Sequence, residues 1–330
     1  MRGKRIIKAV ALLSGGLDSM LAVRIIQMQD IEILALNFRT PFFGGSRKVE
    51  RAAEQLGVPL RVIDISKQHL RIVLNPKYGY GKQMNPCIDC HALMVREAGR
   101  VMEEQSARFI VTGEVLHQRP KSQNLQALKI VERESGYEGL VLRPLSAKLL
   151  PPTIPEQEGW VCRERLLDIS GRSRKRQMEL AARLGITEYS SPGGGCILTD
   201  PSFARRFRSL LDETPKPSLN DVYLLTVGRH FRLQGAARLV VGRNAHENER
   251  IASLASRHDV LMKVRDHPGP TSLLRGSTEH AVQELAAAIT ARYSDATAGQ
   301  PVTVVAWRPD GGTWTHEVVP AVPGEHPEPE

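Results

Sequence analysis

Ala9-Val10-Ala11-Leu12-Leu13-Ser14-Gly15-Gly16-Leu17-Asp18-Ser19-Met20 decides the architecture of the first half of this chain. The apolar run Ile6–Leu13 reads as a buried strand and Leu17–Met28 carries its apolar residues at helical spacing, so Ser14–Ser19 must turn strand into helix. Two glycines at such a turn let the backbone approach a ligand. The free N–H groups of the helix start, with the hydroxyls of Ser14 and Ser19, then make a cradle for phosphate. Asp18 stands where a carboxylate can hold a magnesium ion on that phosphate. A plain glycine turn capped by serine would use the same residue types, but six consecutive residues in this context favour the cradle.

Outward from this turn, Ile31–Phe38, Leu60–Ile65 and Arg108–Thr112 read as strands, and Ser46–Leu56 and Cys90–Gln105 as helices. This alternation predicts an α/β fold, a parallel sheet with helices on both faces. Ligands of such sheets sit beyond the carboxyl ends of the strands, which singles out Ser14–Ser19, Asn37–Gly45 and Gly113–Gln118. Further on come a proline-rich loop or lid (149–159), a basic helix (172–184), a glycine-rich loop around Cys196 (190–199) and a short helix (201–211). Pro215-Lys216-Pro217 reads as a domain boundary. Beyond it, 223–233, 237–241 and 260–264 are expected strands, 246–256 and 278–293 helices, and 302–307 with 313–319 a hairpin. The expected organisation is therefore an α/β domain over 1–212, a smaller α+β C-terminal domain over 216–320, and a disordered Pro/Glu-rich tail over 321–330.

With 41% hydrophobic and 25% charged residues, the 330-residue chain is neither collagen-like nor wholly disordered. No apolar run of about 18 residues offers a membrane span, and Met1–Arg5 lacks the features of a secretory signal, so a cytoplasmic protein is expected. Four cysteines are too few for a disulfide scaffold. Cys87-x-x-Cys90 in a reducing compartment points instead to metal, cluster or redox chemistry. The net charge of +9 is uneven: residues 1–210 hold 33 Lys+Arg against 21 Asp+Glu, and residues 211–330 hold 12 against 15. A basic first part suits a polyanion such as nucleic acid or a nucleotide, and equally a merely soluble basic surface.

The Ser14–Ser19 segment resembles the pyrophosphate loop (PP-loop) of the N-type ATP pyrophosphatases, of the adenine nucleotide alpha hydrolase-like fold, which split ATP between the α and β phosphates and activate a carbonyl oxygen by adenylation. The glycine-lysine pair of the Walker loop is missing, so γ-phosphoryl transfer is not implied. Asn37-Phe38-Arg39-Thr40-Pro41-Phe42 is similar to the adenosine-contacting segment of tRNA 4-thiouridine synthetases, and Thr112-Gly113-Glu114-Val115-Leu116-His117-Gln118 to a second segment of the same enzymes. Asn85-Pro86-Cys87-Ile88-Asp89-Cys90 resembles the tRNA 2-thiouridylase motif, whose second cysteine follows much later, where this chain has Cys196. Together, over about residues 6–200, these segments imply a tRNA-thiolating enzyme. The nucleotide would be held by Ser14, Gly15, Gly16, Asp18, Ser19, Asn37, Phe38, Gly113 and Gln118, and Asp18, Cys90 and Cys196 would be catalytic. ATP, Mg²⁺ and tRNA are the implied cofactors and partner, with a sulfur donor that is sulfide, a cysteine desulfurase or a sulfur carrier.

Thiolation needs the uridine oxygen made a leaving group and a soft sulfur nucleophile delivered to the carbon. Cys87, Cys90 and Cys196 can hold a [4Fe–4S] cluster by three thiolates, as some thiouridylases of this type are understood to do. A persulfide on Cys196 resolved by Cys90, or a three-cysteine zinc site, are the alternatives. Cys162 lies outside the motifs and reads as a small core residue. Arg172, Arg174, Lys175, Arg176, Arg205 and Arg206 are candidates to track a tRNA backbone, against the plain reading of a solvated helix face. Residues 239–248 with 266–270 are similar to the NFACT-R type of RNA-binding domain, although the C-terminal part lacks a basic surplus. Two other functions share the loop: an amide-forming or amidating ATP pyrophosphatase acting on a small metabolite, and an RNA-binding protein with a vestigial nucleotide site. Intact Asp18 and Ser19 speak against the latter.

Overall fold

The computed structural model describes residues 7–45, 47–190, 196–324 and 327–330. Ile6, Ser46, Ser191–Gly195 of the glycine-rich loop, and Glu325 and His326 of the tail lie outside them. The chain forms two compact units, Met1–Thr199 and Asp200–Glu330.

The first unit is built on β1 (Lys8–Leu12), α1 (Leu17–Gln27), β2 (Glu32–Arg39), α2 (Arg47–Leu56), β3 (Leu60–Asp64), α3 (Ser66–Leu74), α4 (Cys87–Glu104), β4 (Phe109–Val111), α5 (Leu125–Ser135), β5 (Val141–Leu142), α6 (Ile154–Gln157) and α7 (Lys175–Arg183). Its five strands pair in the order β3-β2-β1-β4-β5, every pair parallel. Both faces of the sheet are covered, which is why β1 is apolar from Ala9 to Leu12. Ala9, Ala11 and Leu13 enter a core shared with residues of α1, α2 and α7, while Val10 enters a second core with residues of α4 and α5. Because β1 has β2 on one side and β4 on the other, the chain reverses its direction of winding there. The crevice beyond Leu12 and Val111 is the topological switch point where doubly wound sheets bind ligands.

The sequence does not announce α3, α5 or β5. α5 has legible ends, since Asn124 accepts the Ala127 N–H at 2.9 Å and Gly136 closes the helix at φ +84°. β5 has only two residues, too few for any periodicity. Within the expected proline-rich lid, Thr153 and Glu156 form a capping box that starts the one-turn α6.

The second unit comprises α8 (Pro201–Glu213), α9 (Leu219–Leu225), β6 (Arg229–Arg232), β7 (Arg238–Val241), α10 (Ala245–Ser253), β8 (Val260–Val264), β9 (Ser272–Arg275), α11 (His280–Arg292), β10 (Val302–Trp307) and β11 (Thr313–Val318). Its sheet runs β11-β10-β8-β9-β7-β6, all pairs antiparallel. Leu239, Val241, Val260, Met262 and Leu274 face Val282, Ala286 and Ile289 of α11, whereas Val240, Leu261 and Leu273 face Leu224, Ile251 and Leu254. The strand expected over 223–233 begins as helix α9, because Ser218 and Asp221 form a reciprocal capping box ahead of it. The two compact units divide at Thr199/Asp200, so α8 lies in the second unit, where Arg238 of β7 bonds Glu213 at 2.9 Å and Ser209 at 2.9 Å. In the tail, Ala321 is buried in the core and Ser209 donates to Glu330 at 2.9 Å. No helix among the described residues is long and apolar enough to cross a membrane.

Candidate active site

The phosphate loop leaves β1 where Leu13 N–H donates to Leu36 O at 2.8 Å. Gly15 sits at φ +75°, a conformation side chains rarely adopt. Ser19 closes the loop on itself: its hydroxyl accepts Ser14 N–H at 3.2 Å, donates to Gly16 O at 2.8 Å and lies 3.1 Å from the Ser14 hydroxyl. Gly16 caps α1 without a side-chain bond, leaving the first-turn N–H groups open to an anion. Gly113, just past β4, lies so close to this turn that a Cβ would stand 2.6 Å from the Ser19 N and Cα. That approach carries Gln118 over the loop, where its amide donates to Asp18 Oδ2 at 3.1 Å. The other carboxylate oxygen, Oδ1, is buried with no partner among the described residues. A buried carboxylate oxygen without a donor is costly, and a divalent cation would satisfy it.

Two of the expected nucleotide residues have structural occupations. The Asn37 amide donates to Leu13 O at 2.8 Å and its oxygen accepts Gly45 N–H at 3.1 Å, so it fastens the loop after β2 to the end of β1. The Phe38 side chain is 3% exposed, within the core.

Cys87 and Cys90 stand on the first turn of α4. The chain that leads to Cys196 starts from the phosphate loop, where Ser190 N–H donates to Gly15 O at 3.0 Å. On the far side of Cys196, Ile197 N–H donates to Phe42 O at 3.1 Å, and Leu198 O accepts Met84 N–H at 3.2 Å. Hydrogen bonds thus join segments far apart in sequence: Ser190 to the phosphate loop, and Ile197 and Leu198 to the loop after β2 and to the stretch before α4. Burial pushes all three thiols up: Cys90 well above the ordinary range, with the Cys196 and Cys87 sulfurs adding to the effect, and Cys196 to about 11. Cys87 is raised less, because Arg119 and Lys121 oppose burial. Neither cation has a carboxylate partner among the described residues. Cys162 is exposed and bonds Glu164 at 3.2 Å, so it is not the core residue expected.

A buried charge network beside the thiols is not legible in the sequence. Glu114, in the segment after β4, accepts from Arg143 Nε at 3.0 Å and from Thr112 at 3.1 Å, and His91, next to Cys90, lies 2.8 Å away. Arg143 also pairs with Glu132 of α5. Burial alone would raise the Glu114 carboxyl, but Arg143 and His91 hold it at about 2. Glu114→Gln is expected to cost about 3 kcal/mol in urea unfolding at neutral pH, since it strips a buried guanidinium of one of its counter-charges. The carboxylate's contribution is complete above its ordinary value of 4.5 and is lost as pH falls towards 2, so the gap between wild type and variant should close over that range.

The six expected RNA-contacting residues divide between the units, four before or within α7 and two on α8. Arg172 and Lys175 are exposed and make no ion pair among the described residues. Arg176 bonds Asp168 at 2.5 Å, and the Nε of Arg174 is buried. Arg205 bonds Ser202 at 3.2 Å, and Arg206 stacks on Phe203 at 5.8 Å.

Residues 7–148 match the family model described as thiamine biosynthesis protein (ThiI). The match covers less than half of the chain. It contains the phosphate loop, Cys87, Cys90, Glu114, Gln118 and Arg143, while Cys196 lies beyond its matched end. Residues 228–328 match the NFACT protein RNA-binding domain, which coincides with the antiparallel sheet of the second unit. A probable tRNA sulfurtransferase of Thermococcus kodakarensis is 31% identical over 145 residues, covering 42% of this chain and 36% of that protein. The tRNA-specific 2-thiouridylase MnmA of Syntrophotalea carbinolica is 29% identical over 106 residues, covering 27% of this chain and 30% of that protein. The chain thus spans about a third of the length of these curated relatives. A crystal structure of a 4-thiouridine synthetase–RNA complex with bound ATP aligns at a TM-score of 0.40 and 23% identity, over 66% of this chain and 52% of that one.

Proposed function

We propose that this chain is an ATP-dependent tRNA sulfurtransferase that adenylates a uridine carbonyl oxygen and replaces it by sulfur. The observation that carries this reading is the bonding on either side of Cys196: Ser190 before it to Gly15, and Ile197 and Leu198 after it to Phe42 and Met84. A pyrophosphate cradle and three thiols in the same unit suit a reaction that first makes oxygen a leaving group and then brings sulfur to the same carbon. The relatives' names, tRNA sulfurtransferase and 2-thiouridylase, agree with it.

In this reading the uridine oxygen attacks the α-phosphorus of ATP and pyrophosphate leaves. The Gly15 and Gly16 amides and the Ser14 and Ser19 hydroxyls bind the departing phosphates, and Gln118 orients Asp18. The orphaned Oδ1 of Asp18 fits a magnesium ion, which supplies charge neutralisation on the pyrophosphate. Sulfide then adds to the carbon and AMP departs. Three cysteines, buried or half-buried, with no fourth among the motifs fit a [4Fe–4S] cluster with one iron left open, whose chemistry would be to hold and present sulfide. The persulfide route is the poorer fit. In that route Cys90 must attack the Cys196 persulfide as a thiolate, and burial with the neighbouring sulfurs holds the Cys90 thiol well above its ordinary range. Metal ligation, by contrast, removes the proton on binding. Arg119 and Lys121 beside Cys87 suit an anionic sulfur species arriving as free sulfide, from a desulfurase or on a carrier.

The reading is tested by incubating purified chain with tRNA, ATP and sulfide and digesting the tRNA for nucleoside mass spectrometry. A thiouridine formed with stoichiometric AMP and pyrophosphate is expected, and ADP with phosphate would refute it. Arg172 and Lys175 are the residues here that suit tRNA phosphates. Changing both to alanine should weaken tRNA binding and lower the slope of log affinity against log salt by about 0.7–0.9 for each phosphate that is no longer neutralised. An unchanged slope would return them to a solvated surface.

A further inference from the structure

We propose that His280, Glu284 and His316 in the second unit form a binding site for one divalent transition-metal ion of the zinc class. His280 opens α11 and Glu284 follows one turn later on the same face, while His316 lies in β11 opposite Val304. One ring nitrogen of each histidine and one carboxylate oxygen lie within 4.8 Å of one another. The His280 Nδ1 to Glu284 Oε2 distance is 3.5 Å, and the two imidazole centroids are 5.5 Å apart. Donors around a tetrahedral zinc with bonds of about 2.0–2.1 Å stand about 3.3 Å from one another, so small side-chain rotations bring these three onto one ion.

The donor set selects the class of metal. Two imidazoles and a carboxylate are borderline ligands that suit zinc, cobalt or nickel, whereas calcium and magnesium require an all-oxygen shell. Three protein ligands leave a fourth position, and because His280 and Glu284 are exposed, solvent can fill it. The surroundings are also those of a held ligand. His316 is 4% exposed, and its Nε2 is 3.0 Å from Trp314 Nε1. The Trp314 N–H has a second acceptor in Gln283 Oε1 at 3.1 Å, and Gln283 is itself fixed by donating to Thr278 O at 2.8 Å. Trp314 can therefore release His316 to a metal without losing its own hydrogen bond, and the shell behind the ligand remains set. A His–Glu contact one turn apart would explain His280 and Glu284 alone. It does not explain a buried third histidine whose ring meets them from another element.

The experiment titrates Co²⁺ into the full-length chain, followed by absorption, tryptophan fluorescence and calorimetry. Cobalt on the cysteines shows thiolate charge-transfer bands, and cobalt on this site shows only the weaker d–d bands. The expected result is one equivalent without thiolate bands, quenching of Trp314, and at least tenfold weaker binding of that equivalent in both His280→Ala and Glu284→Ala. These two variants alter exposed side chains and should melt like wild type without metal, so the test survives if His316→Ala fails to fold. Zn²⁺ should raise the melting temperature of wild type more than that of His280→Ala. If the thiolate-free equivalent is absent, or is bound equally by wild type and both variants, the proposal is overturned.

Discussion

Asp18→Ala is expected to lower the formation of AMP and pyrophosphate by about 10²–10³-fold, the size of effect seen when one electrostatic interaction with developing charge is removed. The residue has two assignments in one side chain. Oδ2 is held by the Gln118 amide, so its direction is fixed, and Oδ1 is buried with no protein partner among the described residues, so a cation is its natural complement. Removing the carboxylate removes the metal site and the neutralisation of the leaving pyrophosphate. Because Asp18 sits in the first turn of α1 and alanine is a strong helix former, the fold should remain. The check is a radiolabelled ATP assay with magnesium titrated: the variant should no longer respond to the metal in the range where wild type saturates. Gln118→Ala should give a smaller loss of the same kind, since it frees the Asp18 carboxylate without deleting it. An Asp18→Ala protein with wild-type turnover would refute the assignment of the loop.

The second large effect concerns the thiols. Anaerobically prepared protein is expected to be brown with about four irons per chain, and Cys87→Ala, Cys90→Ala and Cys196→Ala should each lose the iron and the thiolation activity, while Cys162→Ala should lose neither. The structure sharpens this expectation through the environments of the thiols. Cys90 is buried and its pKa is raised by burial and by the neighbouring sulfurs, so it is a poor free nucleophile but an acceptable ligand once deprotonated by a metal. Cys87 separates the mechanisms, because a two-thiol persulfide route has no use for it. Iron-free protein that thiolates tRNA, with activity kept in Cys87→Ala, would establish the persulfide route. Zinc in place of iron that is lost in Cys87→Ala, Cys90→Ala and Cys196→Ala but kept in His280→Ala would establish the third.

How much of this was readable from the chain alone follows the range of the interactions involved. The strand-to-helix turn at Ser14–Ser19, the alternation that produced the parallel sheet, and the end of α1 depend on neighbours within a few residues, and these appear where the pattern puts them. Asn124 and Gly136, the ends of α5, were equally local signals that the apolar pattern between them obscured. By contrast, Tyr223–Leu233 has the β-branched and aromatic content of a strand, and only the Ser218–Asp221 capping box, outside that window, turns its beginning into helix. Phe38 shows the opposite limit. Its position after an apolar run fits a ligand contact, but which face of β2 it occupies is settled by the packing of the sheet, and that face is core.

The sequence by itself determined the chemistry available: a loop that can hold pyrophosphate, a carboxylate for a metal, three cysteines and a basic first part. Those are properties of residue type and short spacing, which survive in any fold. Only the tertiary structure decided which of them meet. The winding order β3-β2-β1-β4-β5 sets Gly113 against Ser19 and so brings Gln118 to Asp18, 100 residues away in the chain. The bonds from Ser190 to Gly15, Ile197 to Phe42 and Met84 to Leu198 return Cys196 to Cys87 and Cys90. Arg143 acquires its significance only because burial beside Glu114 leaves it no water, and a buried charge must find its counter-charge wherever the fold places one.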